Sequence, residues 1–183
     1  MREMELKSVV DDVALRRATV ERAGGSLEFA GMLIDHRYAD ADGTMLRADT
    51  VLRLRIYDSD RGREGHLDWK GPTLYESGYK VREELTTTAG NPDALAAILQ
   101  NLGYSVIMKI ERRIWQYSLA GATVRFEEYP LMDALVEVEG SPETIERAIG
   151  LIGLERPGFT TDRLTDFVAQ FEARTGQKAL LEF

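Results

Sequence analysis

Glu3-Met4-Glu5-Leu6-Lys7 places charged and apolar residues in strict alternation near the start of the chain. In a strand, successive side chains point to opposite faces, so Glu3, Glu5 and Lys7 share one face while Met4 and Leu6 share the other. Two glutamates so spaced lie about 7 Å apart along the strand. They repel unless a cation or basic group lies between them. One alternating strand also describes an ordinary sheet with one face in water. The pattern gains weight because it returns along the chain. Arg53 and Arg55 oppose Leu52, Leu54 and Ile56; His66, Asp68 and Lys70 oppose Leu67 and Trp69. Lys80, Arg82 and Glu84 oppose Val81 and Leu85, with Glu83 breaking the alternation; Arg125 and Glu127 oppose Val124 and Phe126; Glu137 and Glu139 oppose Val136 and Val138.

Working outward from these strands, residues 2–9 read as the first strand. Asp11 or Asp12 caps a helix that runs to about residue 23 and stops at Gly24-Gly25. Residues 26–38 read as extended, 40–49 as turn-rich, 50–57 as a strand, 58–65 as a polar turn and 66–70 as a short strand ended by Gly71-Pro72. A strand over 78–87 follows. Asn91-Pro92 starts a second helix and Gly103 stops it, with Leu95, Ile98, Leu99 and Leu102 as its apolar stripe. Residues 104–117 and 121–129 form a hairpin, and 134–140 another strand. Ser141-Pro142-Glu143 opens a helix to Ile152, and a last helix starts near Thr161 with Leu164, Phe167, Val168 and Phe171 on its apolar face. This amounts to about eight strands, mostly in hairpin order, which favours antiparallel pairing.

The chain has 183 residues, a net charge of −8 and no cysteine. That length predicts a single domain over residues 1–183 with a substantial core. Without cysteine, disulfides, thiol catalysis and cysteine zinc sites are excluded. No apolar run is long enough for a membrane span and no signal-peptide pattern stands at the N-terminus, so the expected location is the cytoplasm, with no membrane partner. The negative balance argues against a nucleic-acid partner. It leaves room for a small anionic ligand in a local basic cleft, because clefts focus their own field.

Two architectures satisfy the repeated alternation. In one, an open sheet buries its apolar face under helices and turns the charged face to water. In the other, the sheet closes, the apolar face points outward under the helices, and the charged face lines an interior. Solvent faces are usually diluted with serine, threonine and glutamine, whereas these are dense in arginine and glutamate, with like charges two residues apart. A ligand rich in anionic oxygens together with divalent cations reconciles both signs of charge.

The ordered set Glu3-Met4-Glu5-Leu6-Lys7, Leu52-Arg53-Leu54-Arg55, Trp69-Lys70-Gly71-Pro72, Arg82-Glu83-Glu84, Leu102-Gly103-Tyr104, the basic segment from Lys109 to Arg113, and Val136-Glu137-Val138-Glu139-Gly140 resembles the CYTH superfamily, the triphosphate tunnel metalloenzymes. The first stretch matches that family's ExExK signature, and the likeness covers residues 2–140. The Lys-Gly-Pro turn and Leu-Gly-Tyr step are most similar to the class IV adenylate cyclase (CyaB-like) branch; thiamine triphosphatases and inorganic triphosphatases belong to the same superfamily. The resemblance implies an α+β fold, a closed eight-stranded antiparallel barrel or tunnel with helices packed outside. It also implies a small-molecule triphosphate as substrate (ATP, tripolyphosphate or thiamine triphosphate) and Mg²⁺ or Mn²⁺ as cofactor. Glu3, Glu5, Glu137 and Glu139 would be the metal-side carboxylates. Lys7, Arg53, Arg55, Lys70 and Arg82 would bind the triphosphate, with Arg125 as a further phosphate ligand. Arg112 is the best match for the basic residue of the sixth strand; Lys109 and Arg113 are alternatives of opposite parity, and both sets cannot face inward unless the strand bulges. Glu127 stands where the family commonly has aspartate. Glu3, Glu5, Lys7 and Glu127 are the catalytic set so implied. The oligomeric state is open, with a homodimer among the options.

Three functions are compatible with such a site. In a cyclase, a lyase reaction, the ribose 3′-oxygen of ATP attacks the α-phosphorus and pyrophosphate leaves. In a phosphohydrolase, water attacks a terminal phosphorus. In a binding module the ligand is held without turnover. Asp40-Ala41-Asp42-Gly43 and Asp58-Ser59-Asp60 lack the ligand spacing of calcium loops and read as hairpin turns. His36 and His66 read as structural or solvated, with contact between His66 and the ligand as the alternative. Trp69 and Trp115 read as packing residues, with stacking on adenine at the tunnel mouth as the alternative. Glu3→Gln or Glu5→Gln is expected to abolish metal-dependent turnover while leaving stability at or above that of the parent, because clustered like charge is costly.

Overall fold

The first strand is paired along both of its edges, and this closes the sheet. In the computed structural model, which describes residues 2–183 with side chains from residue 4 onward, nine strands occur. They are β1 (Arg2–Val9), β2 (Ser26–Ala39), β3 (Val51–Ser59), β4 (Gly62–Lys70), β5 (Leu74–Glu76), β6 (Tyr79–Ala89), β7 (Ser105–Leu119), β8 (Ala122–Glu128) and β9 (Leu135–Glu139). The sheet order is β1-β9-β8-β7-β2-β3-β4-β6-β5, with a further pairing of β1 to β6. Eight strands therefore form a closed antiparallel ring. β5 adds a short strand to the end of β6, where Leu74 faces Val81. On β1, Glu5 pairs with Glu139 and Lys7 with Glu137 on one edge, while Glu3 pairs with Arg82 and Glu5 with Lys80 on the other. Beyond the end of that second ladder, Thr160 takes over the free edge. Lys7 N–H donates to Thr160 O at 2.9 Å, and Thr160 N–H donates back to Lys7 O at 2.8 Å.

Closure decides which face is inside. The apolar sides of β1, β8 and β9 (Leu6, Val124, Phe126, Val136 and Val138) point outward. They are buried under α1 (Val13–Arg22) and α4 (Pro142–Ile152), in one cluster with Val20, Ile145, Ile149 and Ile152. On the far side, α3 (Pro92–Asn101) covers Leu52, Leu54, Ile56 and Leu67 with Leu95 and Leu99. The helices begin where capping chemistry puts them. Asp12 accepts from Leu15 N–H, Asn91 from Ala94 N–H with Pro92 in the first turn, and Ser141 from Thr144 N–H with Pro142 following. α5 (Leu164–Thr175) lies at one end of the ring, where Phe167 packs with Ile110, Tyr129 and Leu135.

Several boundaries differ from expectation. β4 begins at Gly62, so the polar segment 58–65 is a tight hairpin with ladder pairs Asp58–Arg63 and Tyr57–Glu64; exposed strands keep polar residues on both faces. The segment 40–49 contains a short helix, α2 (Thr44–Arg47), whose first amides Thr44 and Met45 donate to the Asp40 carboxylate. Asp40 is thus a helix cap, whereas Asp58 and Ser59 do end a hairpin arm. The last helix begins at Leu164: Thr160 is held in a bridge against Lys7, and Arg163 N–H donates to the Asp166 carboxylate at the helix start. The α3 stripe is narrower than its period suggests: Leu99 is buried, but Ile98 and Leu102 are exposed.

Candidate functional site

The ionised face of the strands lines the barrel interior. Glu5, Asp35, Arg53, Asp68, Arg82, Arg112, Arg125, Glu127 and Glu137 are all buried. A cavity of about 280 Å³ opens among them, lined by ten lysine and arginine side chains and four carboxylates. Asp35, Asp68 and Glu84 pair with lining Arg53, Arg55, Arg112 and Lys70 from just outside it, which leaves an excess of three positive charges among these groups in a chain whose net charge is −8.

On the β1/β9 wall, Lys7 bridges two carboxylates: its Nζ lies 3.1 Å from Glu5 Oε2 and pairs closely with Glu137. Lys80 on β6 pairs closely with the other oxygen of Glu5. Burial opposes charge on Glu5, but Lys7, Lys80 and Lys70 outweigh it and hold the carboxyl well below its usual range. Burial also opposes charge on Lys7, and Glu137 and Glu5 outweigh it, so the ammonium is held above its ordinary value.

The β7/β8 wall carries a second cluster. Glu127 Oε1 accepts from Arg112 Nε and from Arg125 Nε, each at 3.0 Å, and Glu127 Oε2 accepts from Tyr129 OH at 2.6 Å. Arg125 also pairs with Glu137, linking the two walls. Burial disfavours the Glu127 carboxylate, yet Arg112, Arg125 and the Tyr129 hydroxyl hold its pKa far down. Burial and Glu127 push the Tyr129 hydroxyl well above its ordinary value. A carboxylate so engaged orients two guanidiniums.

The third wall is β2/β3/β4. Asp68 accepts from Arg55 Nε at 2.6 Å, Arg55 Nη2 at 2.7 Å, Arg53 Nε at 3.2 Å and Thr86 Oγ1 at 2.8 Å. Asp35 faces Arg53 Nη1 at 3.4 Å and Arg112 at 3.8 Å. At the α5 end, Arg82 donates from Nε to Gly71 O at 2.6 Å and from Nη2 to Asp49 O at 2.5 Å, while Arg163 reaches Asp49 and Thr73. Lys70 lines the cavity and pairs with Glu84.

Of the residues singled out in the sequence, the structure brings Glu5, Lys7, Arg53, Arg55, Lys70, Arg82, Arg112, Arg125, Glu127 and Glu137 to one cavity. Glu139 shares the inward face two residues beyond Glu137, directly across the ladder from Glu5, and stands just outside the lining. Glu3 pairs through its backbone with Arg82, and its side chain lies outside the described residues. Two expectations are corrected. Lys109 points away from the cavity and pairs with Glu111 at 2.7 Å and Glu182 at 3.5 Å, and Arg113 is exposed opposite Glu128. Strand alternation turns both outward once Arg112 is inside. His66 bonds Glu64 at 2.8 Å and packs on Tyr57, and Trp115 lies beneath Arg17 at 4.3 Å; neither lines the cavity, nor does Trp69.

Asp35, Arg37 and Tyr129 belong to the interior without any sequence motif that marks them, and Lys80 does so as a member of the charged face of its strand that the family-like motifs do not include. Asp35 and Arg37 do obey the period of two. Opposite them stand Ile34, His36 and Tyr38, which do not form a uniformly apolar face, so the signal was diluted.

The carboxylates Glu5, Glu137 and Glu139 offer the hard oxygen donors that suit Mg²⁺ or Mn²⁺. Glu5 and Glu139 face each other across the β1/β9 ladder, an arrangement of like charges that a cation stabilises. Among the described residues, no three acidic or histidine side chains converge as a ready metal cluster. Lys7, Lys80 and Arg125 supply the compensating charge instead.

No family model and no curated protein matches the chain. Solved structures do. A Pyrococcus horikoshii protein superposes with a TM-score of 0.74 at 20% identity, covering 92% of this chain and 98% of its own. A "putative adenylate cyclase" from Vibrio parahaemolyticus has a TM-score of 0.75 at 18% identity, covering 91% and 97%. HpAC1 from Hippeastrum, a "putative adenylyl cyclase" with a dominant triphosphatase activity, has a TM-score of 0.62 at 16% identity, covering 99% and 98%. The chain shares the fold of these proteins, which is the closed barrel that the CYTH resemblance implies.

Proposed function

We propose that the protein is a divalent-metal-dependent enzyme that processes a triphosphate inside its barrel. The observation that carries this reading is the cavity itself: its ten lining cations outnumber the four carboxylates that line it together with the three, Asp35, Asp68 and Glu84, that pair with them from behind, in a chain of net charge −8. Such a charge surplus calls for a polyanion, and arginine forks with lysine ammoniums suit phosphate oxygens.

Arg53, Arg55, Arg112 and Arg125 are pre-aimed by Asp68, Asp35, Glu127 and Glu137, so they need little reorganisation on binding. Lys7, held protonated, serves as a fixed positive charge on the β1 wall. Glu5 and Glu139, with Glu3 and Glu137, would hold the metal. Bound there, it would supply Lewis acidity towards a phosphoryl oxygen and lower the pKa of an attacking hydroxyl or water. Transfer at phosphorus asks chiefly for positioning and charge neutralisation, which these side chains are built to provide.

The resemblance to class IV adenylate cyclases favours cyclisation of ATP to cyclic AMP and pyrophosphate. A second reading, hydrolysis of tripolyphosphate, thiamine triphosphate or a nucleoside triphosphate, is favoured by the fold shared with the Hippeastrum protein and its dominant triphosphatase activity. Purified protein incubated with ATP, and separately with tripolyphosphate, each with Mg²⁺ or Mn²⁺, distinguishes them by product chromatography. Cyclic AMP with pyrophosphate identifies the cyclase; orthophosphate without cyclic AMP identifies the phosphohydrolase. Binding without turnover leaves a binding module. Ligand at a hundredfold excess over Kd contributes about 2.7 kcal/mol to the folded state, a rise in Tm of about 5–11 °C. No shift with either compound overturns the proposal.

A further inference from the structure

Among the described residues, nine of the ten cations that line the cavity have a hydrogen-bonding or ion-pair partner. Arg37 is the exception. It has no hydrogen bond or ion pair, and its Nε is buried with no partner. It sits on the inward face of β2, across the ladders from Arg53 on β3 and Met108 on β7. Arg37 as a whole is only partly buried, but buried polar atoms are ordinarily satisfied, and a buried guanidinium nitrogen without a partner is an exception.

We propose that Arg37 is an additional anion-binding residue, one that takes non-bridging oxygens of the bound polyphosphate on the wall opposite the Glu5 and Glu137 carboxylates. This rests on the triphosphate reading above and assigns a contact that the family-like motifs do not include. The placement follows from the ring order: β2 stands four strands from β1 in either direction, and so lies across the barrel from it. A phosphate chain held at Lys7 on the β1/β9 wall would present its remaining oxygens towards β2.

Asp35, two residues away on the same face, is the obvious internal partner for Arg37. It already serves Arg53 and Arg112. However that one carboxylate is shared among three guanidiniums, positive charge is left over. Burial, together with Arg53 and Arg112, disfavours the charged form of Arg37, and Asp35 opposes this only in part. Arginine remains charged under such pressure. An incoming phosphate oxygen therefore meets a donor that has no protein bond to break.

The test measures tripolyphosphate binding by calorimetry, with Mg²⁺ and again in EDTA, together with the Tm of ligand-free protein. Wild type is compared with Arg37→Gln and Arg37→Lys. Loss of a charged hydrogen bond predicts roughly 10- to 100-fold weaker binding for Arg37→Gln in both conditions. Its ligand-free Tm should be equal to or above that of wild type, and Arg37→Lys should recover part of the affinity. A lower ligand-free Tm with affinity within twofold of wild type would make Arg37 a structural partner of Asp35 and overturn the proposal. If Arg37→Gln folds poorly, Arg37→Met takes its place: tripolyphosphate affinity within twofold of wild type in that uncharged variant would overturn the proposal. Failure of wild type itself to bind tripolyphosphate would remove the triphosphate reading, an outcome distinct from tight wild-type binding that ignores Arg37.

Discussion

Replacing Glu127 by glutamine removes one negative charge from an enclosed ion cluster while keeping the side chain's size. Glu127 is 3% exposed and accepts from Arg112, Arg125 and Tyr129. Removing one member of a buried ion pair costs about 3–5 kcal/mol. The lower end applies here, because Arg125 keeps Glu137 and Arg112 keeps Asp35 at 3.8 Å. About 3 kcal/mol in a domain of this size lowers Tm by about 6–12 °C. The assay is thermal unfolding of ligand-free protein, followed by circular dichroism at pH 7 with and without tripolyphosphate. The same substitution raises the positive surplus of the cavity by one, so a bound polyanion should close part of the gap to wild type. A ligand-free Tm within 2 °C of wild type would refute the reasoning, since Arg112 and Arg125 would then need no carboxylate between them.

Other expectations follow from the same ion network. Glu5→Gln should abolish metal-dependent turnover and also lower Tm, because Glu5 compensates Lys7 and Lys80; this reverses the stability expected from clustered glutamates alone, and an unchanged or higher Tm would restore that simpler view. Arg112→Ala should weaken tripolyphosphate binding by roughly 10- to 100-fold, whereas Lys109→Ala and Arg113→Ala should leave it within twofold, since both point away from the cavity. The carboxyls of Glu5, Asp68 and Glu127 are all depressed in the folded state. Their stabilisation is therefore complete above the ordinary carboxylate range and is lost as pH falls below it. Tm followed from pH 7 to pH 3 should fall steeply below about pH 4, and a flat profile would show that these pairs carry no net stability.

Much of the site was legible because its residues sit on strands that alternate cleanly. Leu52-Arg53-Leu54-Arg55 and Val136-Glu137-Val138-Glu139 separate apolar from ionised side chains without exception, and both turned out as grouped, with the charged members towards the interior. Parity alone does not separate Arg112 from Lys109 and Arg113, because it says only that the two sets face opposite ways. Ile110 beneath α5 and Glu127 across the ladder fix which set is inside. The exposed Ile98 and Leu102 on α3 show the converse limit: an apolar stripe marks a helix, and the width of what it covers depends on the partner sheet.

The amino-acid order by itself determined where strands and helices form and which side chains share a face, since alternation, caps and turn residues act over a few neighbouring positions. Which face became the interior was decided only in three dimensions. That choice rests on β1 meeting β6, with Glu5 beside Lys80, and on β2 arriving across the ring to bring Asp35 and Arg37 among the arginines of β3 and β7. Period two is a local property of a strand, whereas closure, and with it the pairing of every buried charge, depends on contacts between residues far apart in the chain.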